Sequence, residues 1–288
     1  MDDSKKILIT GSNGLIGGVL FEKLKQNPLY KIYGLSRSMK TNSNNFNIDL
    51  GGDWKPEQLP EKMDVIIHLA QSERFRDFPE SAVEVLNVNT NSTLQLLEYA
   101  RRSGVKKFIY ASSGGVYGNS DVGFNEESPL QPNKDLGFYL TTKFCSELIV
   151  ENYKQFFDIN ILRFFFVFGE KQKKNMLVPR LIESVRNHKS ILLQGKEGIR
   201  INPIYVEDAS NAVAAIVQKQ GSYNINIGGN EIISIKQLCD LIGKQLNVAP
   251  VFECQNIEAK NLIGDITKMK KLYIPSYSIE KAIQKMIK

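Results

Sequence analysis

The first half of the chain carries short runs of mostly apolar, often β-branched residues, each bounded by polar or turn-forming positions. Continuous apolar runs of this length are typical of strands that are covered on both faces, as in parallel sheets. The pattern predicts buried strands at 5–10, 31–36, 64–70, 106–112 and 159–165.

Longer stretches with a helical spacing of apolar positions separate these runs. They predict helices near 14–26, 80–102 and 138–157. Strands that alternate with helices indicate βαβ units, whose strands pair in parallel. The predicted fold class is therefore α/β, with a Rossmann-type, doubly wound parallel sheet.

The regular alternation of predicted strands and helices ends after Phe165. Helical spacing continues in later stretches, at 175–187, 205–219 and 234–246, and strand-like runs lie within 190–195 and 221–229. No repeat, low-complexity linker or Pro-rich hinge divides the chain. We predict a Rossmann domain and a smaller C-terminal α/β substrate lobe, the first from residues 1–165 plus about 201–227, the second from about 166–200 and 228–288.

Composition and charge narrow the possible partners. Of the 288 residues, 42% are hydrophobic and 24% are charged, which is ordinary for a globular protein. The net charge of +6 suits an anionic partner. However, the lysines are spread along the chain and no basic stripe is interleaved with aromatic residues, so we expect no nucleic-acid partner. The basic run at 170–175 is either a solvated loop or a contact to an anionic ligand.

Targeting, membrane and metal signals are not found in the sequence. The N-terminal stretch lacks the apolar core of a signal peptide, and no apolar run reaches 18 residues. Cys145, Cys239 and Cys254 form no metal-type spacing. We expect free thiols, a cytoplasmic protein, no membrane partner and no bound metal.

A glycine-rich turn directly follows the first predicted strand. Gly11, Gly14 and Gly17 lie in LITGSNGLIGG, where the strand gives way to a helix. In such turns the first glycine allows the tight bend, the second lets the backbone approach a diphosphate, and the third lets helix and strand pack closely. The amide groups of the helix N-terminus then face the anion. The turn predicts a dinucleotide site, to which Asn13, Leu15 and Ile16 also belong.

The spacing Gly-x-x-Gly-x-x-Gly resembles that of short-chain dehydrogenases/reductases. Later stretches resemble the extended branch of that superfamily, the NAD-dependent epimerase/dehydratase family. FIYASSGGVYG (108–118) resembles its Ser-Ser-x-x-Val-Tyr-Gly stretch, and the residues from Asn89 to Thr93 resemble its Asn-Val-x-Gly-Thr helix, with Ser92 replacing the glycine. The resemblance covers nearly the whole chain, and it implies a nicotinamide dinucleotide and a nucleotide-diphosphate sugar.

Two Tyr-x-x-x-Lys pairs occur, Tyr139 with Lys143 and Tyr277 with Lys281, so the spacing alone identifies no catalytic pair. The resemblance separates them, because only the first lies at the family's Tyr-x-x-x-Lys position and follows a serine, Ser113, at the position of the catalytic Ser or Thr. It implies a catalytic group of Ser113, Tyr139 and Lys143, with Ser113 and Tyr139 also contacting substrate. The second pair is expected at the surface.

The chemistry of the first pair follows from its geometry, because residues four apart on a helix share a face. A free tyrosine has a pKa near 10, and a nearby lysine ammonium and a cationic nicotinamide both favour the phenolate. Lowering that pKa by about three units corresponds to about 4 kcal/mol. Tyr139 can then exchange a proton with a sugar oxygen while hydride moves to or from the nicotinamide, and Ser113 can donate to the same oxygen. The resemblance implies that Lys143 also holds the nicotinamide ribose.

The end of the second predicted strand bears on the choice of cofactor. NAD sites commonly place an acid there for the ribose 2′-hydroxyl, whereas this chain has Ser36 and Arg37. Arg37 can clamp a 2′-phosphate or stack on adenine. We expect NADP(H), with NAD(H) as the alternative. The resemblance places Asp49 beside the adenine amino group and adds further cofactor contacts, namely Leu50, Leu69, Ala70, Asn89, Tyr139 and Lys143.

Several positions bear on the substrate. The resemblance implies Arg200 as a contact for its diphosphate, a surface arginine being the alternative. Gly114 and Gly115 stand where the family's sugar 4,6-dehydratases carry an Asp-Glu pair for elimination, so dehydration is not expected. Phe166 stands where many members have an Asn that contacts the sugar nucleotide, and Phe168 replaces a Tyr.

Three functions follow from the resemblance. The main expectation is a reductase that delivers hydride to a 4-keto or 4-keto-6-deoxy nucleotide sugar, with Tyr139 as the proton donor. The alternative is an NAD-dependent nucleotide-sugar 4-epimerase, which oxidises C4 transiently and reduces its other face. A third possibility is a non-catalytic dinucleotide-sensing regulator. The helices that carry Asn89 and Tyr139 form a dimer contact in many members, so a homodimer is expected.

Overall fold

A seven-stranded parallel sheet forms the centre of the structure, a computed structural model that describes residues 4–38, 40–130 and 136–288. Within these residues the strands are β1 (Lys5–Thr10), β2 (Tyr30–Ser36), β3 (Asn45–Asn47), β4 (Val65–His68), β5 (Lys107–Ser113), β6 (Asp158–Phe164), β7 (Val167–Phe168), β8 (Ile191–Gln194), β9 (Arg200–Ile201), β10 (Ile204–Tyr205), β11 (Tyr223–Ile227), β12 (Ile233–Ser234) and β13 (Phe252–Gln255).

The strand order of the central sheet is β11-β6-β5-β4-β1-β2-β3, and every neighbouring pair is parallel. The chain therefore winds outwards from β1 in both directions, first through β2 and β3 and then through β4, β5 and β6. In sheets of this kind the crevice beyond the carboxyl ends of the strands, at the point where the winding reverses, receives the ligand. Here that point lies between β1 and β4.

The helices cover both faces of the sheet and the region beyond it. In the described part of the chain they are α1 (Leu15–Lys25), α2 (Ala82–Leu86), α3 (Ser92–Arg102), α4 (Gly137–Glu151), α5 (Leu177–Arg186), α6 (Val206–Gln218), α7 (Ile235–Leu246), α8 (Thr267–Lys270) and α9 (Ile279–Ile287). A π-helical turn, Asn87–Asn91, joins α2 to α3. The single helix predicted at 80–102 is therefore interrupted, at a kind of turn that is frequent at functional sites.

Alternate side chains of the sheet enter two separate cores. Along β1, Ile7 and Ile9 pack with α1 and α6 on one face, whereas Leu8 packs with α3 on the other. All three are fully buried. A period of two with both faces apolar is the pattern of a strand that is covered on both sides. The predicted α/β fold with a doubly wound parallel sheet is confirmed.

A third core lies outside the sheet. It gathers apolar residues of α5, α7 and α9, and side chains of α1 pack against it from the sheet side. Three two-stranded sheets accompany it, β7 with β10, β9 with β12, and β8 with β13. The later helices and strands predicted from the sequence are present, while the assignment of residues to a nucleotide domain and a substrate lobe stays a prediction. No helix in the described part of the chain is long and apolar enough to span a membrane.

Candidate active site

A cleft of about 520 Å³ lies beyond the carboxyl ends of β1, β2, β4 and β5. The loop before α1 forms one wall, and α4 together with residues that follow β6 forms another. Most of the residues predicted for the cofactor and the chemistry line this cleft, namely Gly11, Asn13, Gly14, Leu15, Ile16, Gly17, Ser36, Arg37, Asp49, Leu50, Leu69, Ala70, Ser113 and Tyr139.

The glycine turn is shaped so that side chains would block it. Gly11 has a φ of +68°, and a Cβ there would lie 2.9 Å from the backbone nitrogen of Ala70. A Cβ on Gly17 would lie 2.1 Å from the carbonyl oxygen of Gly11. Helix α1 begins after Gly14, which as a glycine offers no side-chain cap to the first amides. These amides and the bare glycine backbone suit an anionic diphosphate, so the residues present fit a dinucleotide.

Tyr139 and Ser113 reach the cleft from different elements. The Tyr139 hydroxyl donates to Gln71 Oε1 at 2.8 Å, and its ring lies 4.8 Å, centroid to centroid, from the ring of Phe75. The Ser113 hydroxyl accepts from the amide of Gly115 at 3.2 Å, which leaves its own proton for an oxygen in the cleft. Burial raises the pKa of the Tyr139 phenol, so the protein's own groups favour the neutral form.

Lys143 lies behind the cleft wall and does not line it. Its Nζ donates to the carbonyl oxygen of Ala111 at 2.9 Å and sits 5.2 Å from the centre of the Tyr110 ring. Burial lowers the pKa of Lys143 to about 7, although the Glu147 carboxylate opposes this shift. Any contact between Lys143 and a nicotinamide ribose stays a prediction.

Asn89 was predicted as a cofactor contact, but the structure does not bring it to the cleft. It is buried in the π-helical turn, where its Oδ1 accepts from the amide of Ser72 at 2.9 Å and its Nδ2 donates to Thr142 Oγ1 at 3.0 Å. Its carbonyl oxygen also accepts from the Ser146 hydroxyl at 2.9 Å. Asn89 therefore ties α4 to the segment after β4.

Arg200 is exposed on β9 and does not line this cleft, so its contact with the substrate diphosphate stays a prediction. The next residue, Ile201, is fully buried, and neighbouring residues of a strand point to opposite faces. The basic run does reach the cleft, with Lys171 and Lys173 on its wall. These two lysines of the run are therefore placed where an anionic ligand in the cleft could reach them.

A charged cluster joins three loops at the mouth of the cleft. Glu73 pairs with Lys173 at 2.6 Å and with Arg37 at 3.5 Å. Both cations lower the pKa of the Glu73 carboxyl, the hydrogen bond from Lys173 most. Arg37, predicted to clamp a 2′-phosphate, therefore already has a carboxylate beside its guanidinium.

Gly114 and Gly115, at the positions where the resemblance implies an Asp-Glu pair in dehydratases, are packed so closely that a larger residue would displace a neighbouring side chain. A Cβ on Gly114 would lie 2.5 Å from the Phe165 ring, and one on Gly115 would lie 2.8 Å from the Leu140 side chain. Phe166 lies on the cleft wall with a φ of +47°. Asn adopts this left-handed conformation more readily than a bulky residue, for which the cost is about 1–2 kcal/mol.

Sequence reasoning missed Gln71 and Phe75, which contact the phenol. Both belong to the segment that follows β4, where no motif or periodicity marks them. Their position in the chain could have identified them, because residues that follow a parallel strand near the switch point face the crevice. The second Tyr-x-x-x-Lys pair is elsewhere: Tyr277 is half-buried and donates to Glu207 at 2.5 Å.

His68, at the end of β4, is expected to make stability depend on pH. Its ring bonds to Thr10 and Thr93, and burial lowers its pKa to about 3 from 6.5. Between these values the unfolded chain binds a proton that the folded chain does not, so stability is lost as the pH falls from 6.5 towards 3. From pH 7.5 to 5.0 we expect a loss of about 2 kcal/mol from this group. Urea unfolding of the unmodified protein and of His68→Gln at both pH values measures it.

The exposed residue His188 supplies the control. His188→Gln should keep the full pH dependence, whereas His68→Gln should show a smaller one. Equal pH dependence in the two variants would show that His68 is not the group responsible.

The fold and the cleft together define a dinucleotide-binding enzyme of the short-chain dehydrogenase type. A sequence model of the NAD dependent epimerase/dehydratase family matches residues 7–228. The chain belongs to this family, and it is an enzyme of the NAD-dependent epimerase/dehydratase type. A group of three or more metal-ligating side chains is not found among the residues that the structure describes.

Individual relatives agree with this assignment. The chain is 28% identical to an uncharacterized UDP-glucose epimerase of Bacillus subtilis, YtcB, over 96% of this chain and 94% of that protein. It is 29% identical to the UDP-glucuronate 4-epimerase of Thermodesulfobacterium geofontis over 77% of this chain and 71% of that protein. The crystal structure of a Bacillus cereus UDP-glucuronic acid 4-epimerase with UDP-glucuronic acid and NAD superposes with a TM-score of 0.85 at 26% identity, covering 98% and 97% of the two chains.

Proposed function

We propose that the protein is an NAD-dependent 4-epimerase of a nucleotide-diphosphate sugar. The observation that carries the proposal is the position of Ser113 and Tyr139 in the same cleft as the glycine turn. The family relation and the UDP-glucuronic acid 4-epimerase structure that covers 98% of the chain add support. Reduction of a keto-sugar, expected from the sequence, has no counterpart among the relatives named above.

The protein's own groups supply the acid–base part of the reaction. Ser113 donates its free hydroxyl proton to the C4 oxygen of the sugar and orients it. Tyr139, once ionised to the phenolate, takes the proton of the C4 hydroxyl and later returns it to the C4 oxygen when the keto group is reduced. The nicotinamide, when bound, supplies a hydride acceptor and a positive charge. Lys143 lies one helical turn after Tyr139 on α4, where its Nζ bonds to the carbonyl oxygen of Ala111, and we assign the positive charge that favours phenolate to the bound nicotinamide.

The choice of NAD rests on the charged cluster at the cleft mouth. A 2′-phosphate beside Arg37 would approach the Glu73 carboxylate, which already pairs with Arg37 at 3.5 Å. Like charges at such distances disfavour binding, whereas the neutral 2′-hydroxyl of NAD meets no such repulsion. The Bacillus cereus epimerase structure contains NAD as well.

A reductase is the second candidate, and one observation favours it. Arg37 lines the cleft at the end of β2, where no acid is present. If Glu73 turned towards Lys173 alone, Arg37 would be available to a 2′-phosphate. Dehydration is not proposed, because glycines, Gly114 and Gly115, stand at the positions of the Asp-Glu pair. The homodimer also stays a prediction.

The test separates the two candidates by their use of cofactor. The nucleotide released from the purified protein is identified, and the protein is then incubated with UDP-glucuronic acid and with UDP-glucose. We expect bound NAD and an equilibrium mixture of C4 epimers formed without net consumption of cofactor. An empty protein that oxidises NADPH in step with a 4-keto sugar would replace the epimerase with the reductase.

A further inference from the structure

The segment of residues 71–77, in the loop after β4, contacts the tyrosine on which the proposed chemistry depends. Gln71 Oε1 accepts the hydrogen bond of the Tyr139 hydroxyl at 2.8 Å. Phe75, four residues later, lies against the Tyr139 ring at 4.8 Å. Both residues line the cleft. One short segment therefore fixes both the hydroxyl and the ring of this tyrosine.

The segment is itself held at both ends. At its start, the amide of Ser72 donates to Asn89 Oδ1 at 2.9 Å, and the Ser72 hydroxyl donates to Glu84 at 3.1 Å. Further along, the Arg76 guanidinium donates to the carbonyl oxygen of Asn175 at 2.9 Å. Glu73 pairs with Lys173 on the same opposite loop. These contacts place Gln71 by interactions that do not involve Tyr139.

We propose that Gln71 is a positioning residue that holds the Tyr139 hydroxyl by accepting its proton in a hydrogen bond until a sugar oxygen takes that place. The assignment rests on the proposed function, because it gives Tyr139 the acid–base role. A glutamine Oε1 is only an acceptor and a phenol donates one hydrogen bond. The phenol oxygen can consequently still accept a hydrogen bond from another donor, such as a sugar hydroxyl.

The contact also sets the acidity of the phenol. An acceptor that bonds to the O–H group stabilises the neutral form, which adds to the effect of burial. The charged groups of this segment and Lys143 of α4 already have partners. Lys143 on α4 bonds to a carbonyl, Arg76 bonds to the opposite loop, and Glu73, Asp77 and Lys173 are in ion pairs. On β5, burial keeps Tyr110 neutral.

Three variants test the contact. Gln71→Met removes the acceptor at similar length, Gln71→Glu replaces it with a stronger acceptor, and Gln172→Met removes another glutamine of the cleft wall. A fluorinated tyrosine of lower phenol pKa is placed at position 139, and its ionisation is followed by fluorine NMR in the protein without substrate. We expect Gln71→Met to lower the pH midpoint of this ionisation by about half to one unit. Gln71→Glu should raise the midpoint, and Gln172→Met should leave it unchanged.

The titration does not depend on turnover, so it separates this inference from the proposed function. Midpoints that coincide in all three variants would overturn the role of Gln71, even in an active epimerase. Midpoints in the expected order would support the role even if no nucleotide sugar reacts, and the epimerase proposal would then fail alone. If both hold, the acidic limb of the pH–rate profile should move in the same order as the midpoints.

Discussion

Tyr139→Phe is expected to reduce epimerisation by about 10²–10⁴-fold, the range typical for the loss of a positioned general acid–base. The substitution removes the hydroxyl alone. The ring can still pack against Phe75, and the glycine turn that fits the dinucleotide is untouched. We therefore expect the bound nucleotide to be retained while kcat falls. The measurements are steady-state turnover of the nucleotide sugar and the amount of nucleotide released per protein.

Tyr277→Phe is the matched control. Tyr277 belongs to the other Tyr-x-x-x-Lys pair, its hydroxyl bonds to Glu207, and it does not line the cleft. Turnover in this variant should stay near that of the unmodified protein. A Tyr139→Phe variant that retains full turnover would remove the phenol from the mechanism. A protein with no turnover in any form would instead fit the sensing regulator.

The elements that could be predicted from the sequence are those fixed by local burial. The strand at β5, for example, is buried along most of its length, and burial on both faces leaves a continuous apolar run in the sequence. The edge strand β3 was missed because its three residues, Asn45–Asn47, are polar at both ends and partly exposed. Strands of two residues, such as β9, exist only because a distant partner pairs with them.

The same distinction between local and long-range interactions explains which parts of the candidate site could be predicted. The glycine turn is local, so spacing sufficed to predict it. The bond between Gln71 and Tyr139 joins residues 68 positions apart in sequence, and neither residue type signals it. Asn89 and Arg200 do not line the cleft, for geometric reasons that the sequence does not show: the first is buried in a π-helical turn, and the second lies one strand position from a buried isoleucine.

A buried ion pair supports the elements that carry the proposed catalytic group. Arg163 on β6 bonds to both carboxylate oxygens of Glu147 on α4, at 2.7–3.2 Å, and both residues are almost fully buried. The third guanidinium nitrogen, Nη1, donates to the Tyr117 hydroxyl at 2.6 Å, just beyond β5. The pair therefore joins α4, which carries Tyr139 and Lys143, to β6 and to the turn that follows Ser113.

Glu147→Gln is expected to lower the free energy of unfolding by about 3–5 kcal/mol, because it leaves the Arg163 charge buried without a counter-ion. Urea titration measures the loss. Glu280→Gln is the control, since Glu280 pairs with Lys244 at 3.5 Å on the surface and such pairs contribute about 0–1 kcal/mol. Replacing both partners, with Glu147→Leu and Arg163→Met, should be less damaging than Glu147→Gln, because no unpaired charge remains. A loss no greater than that of Glu280→Gln would mean that water or another group compensates Arg163, and the pair would then not be what holds α4 against the sheet.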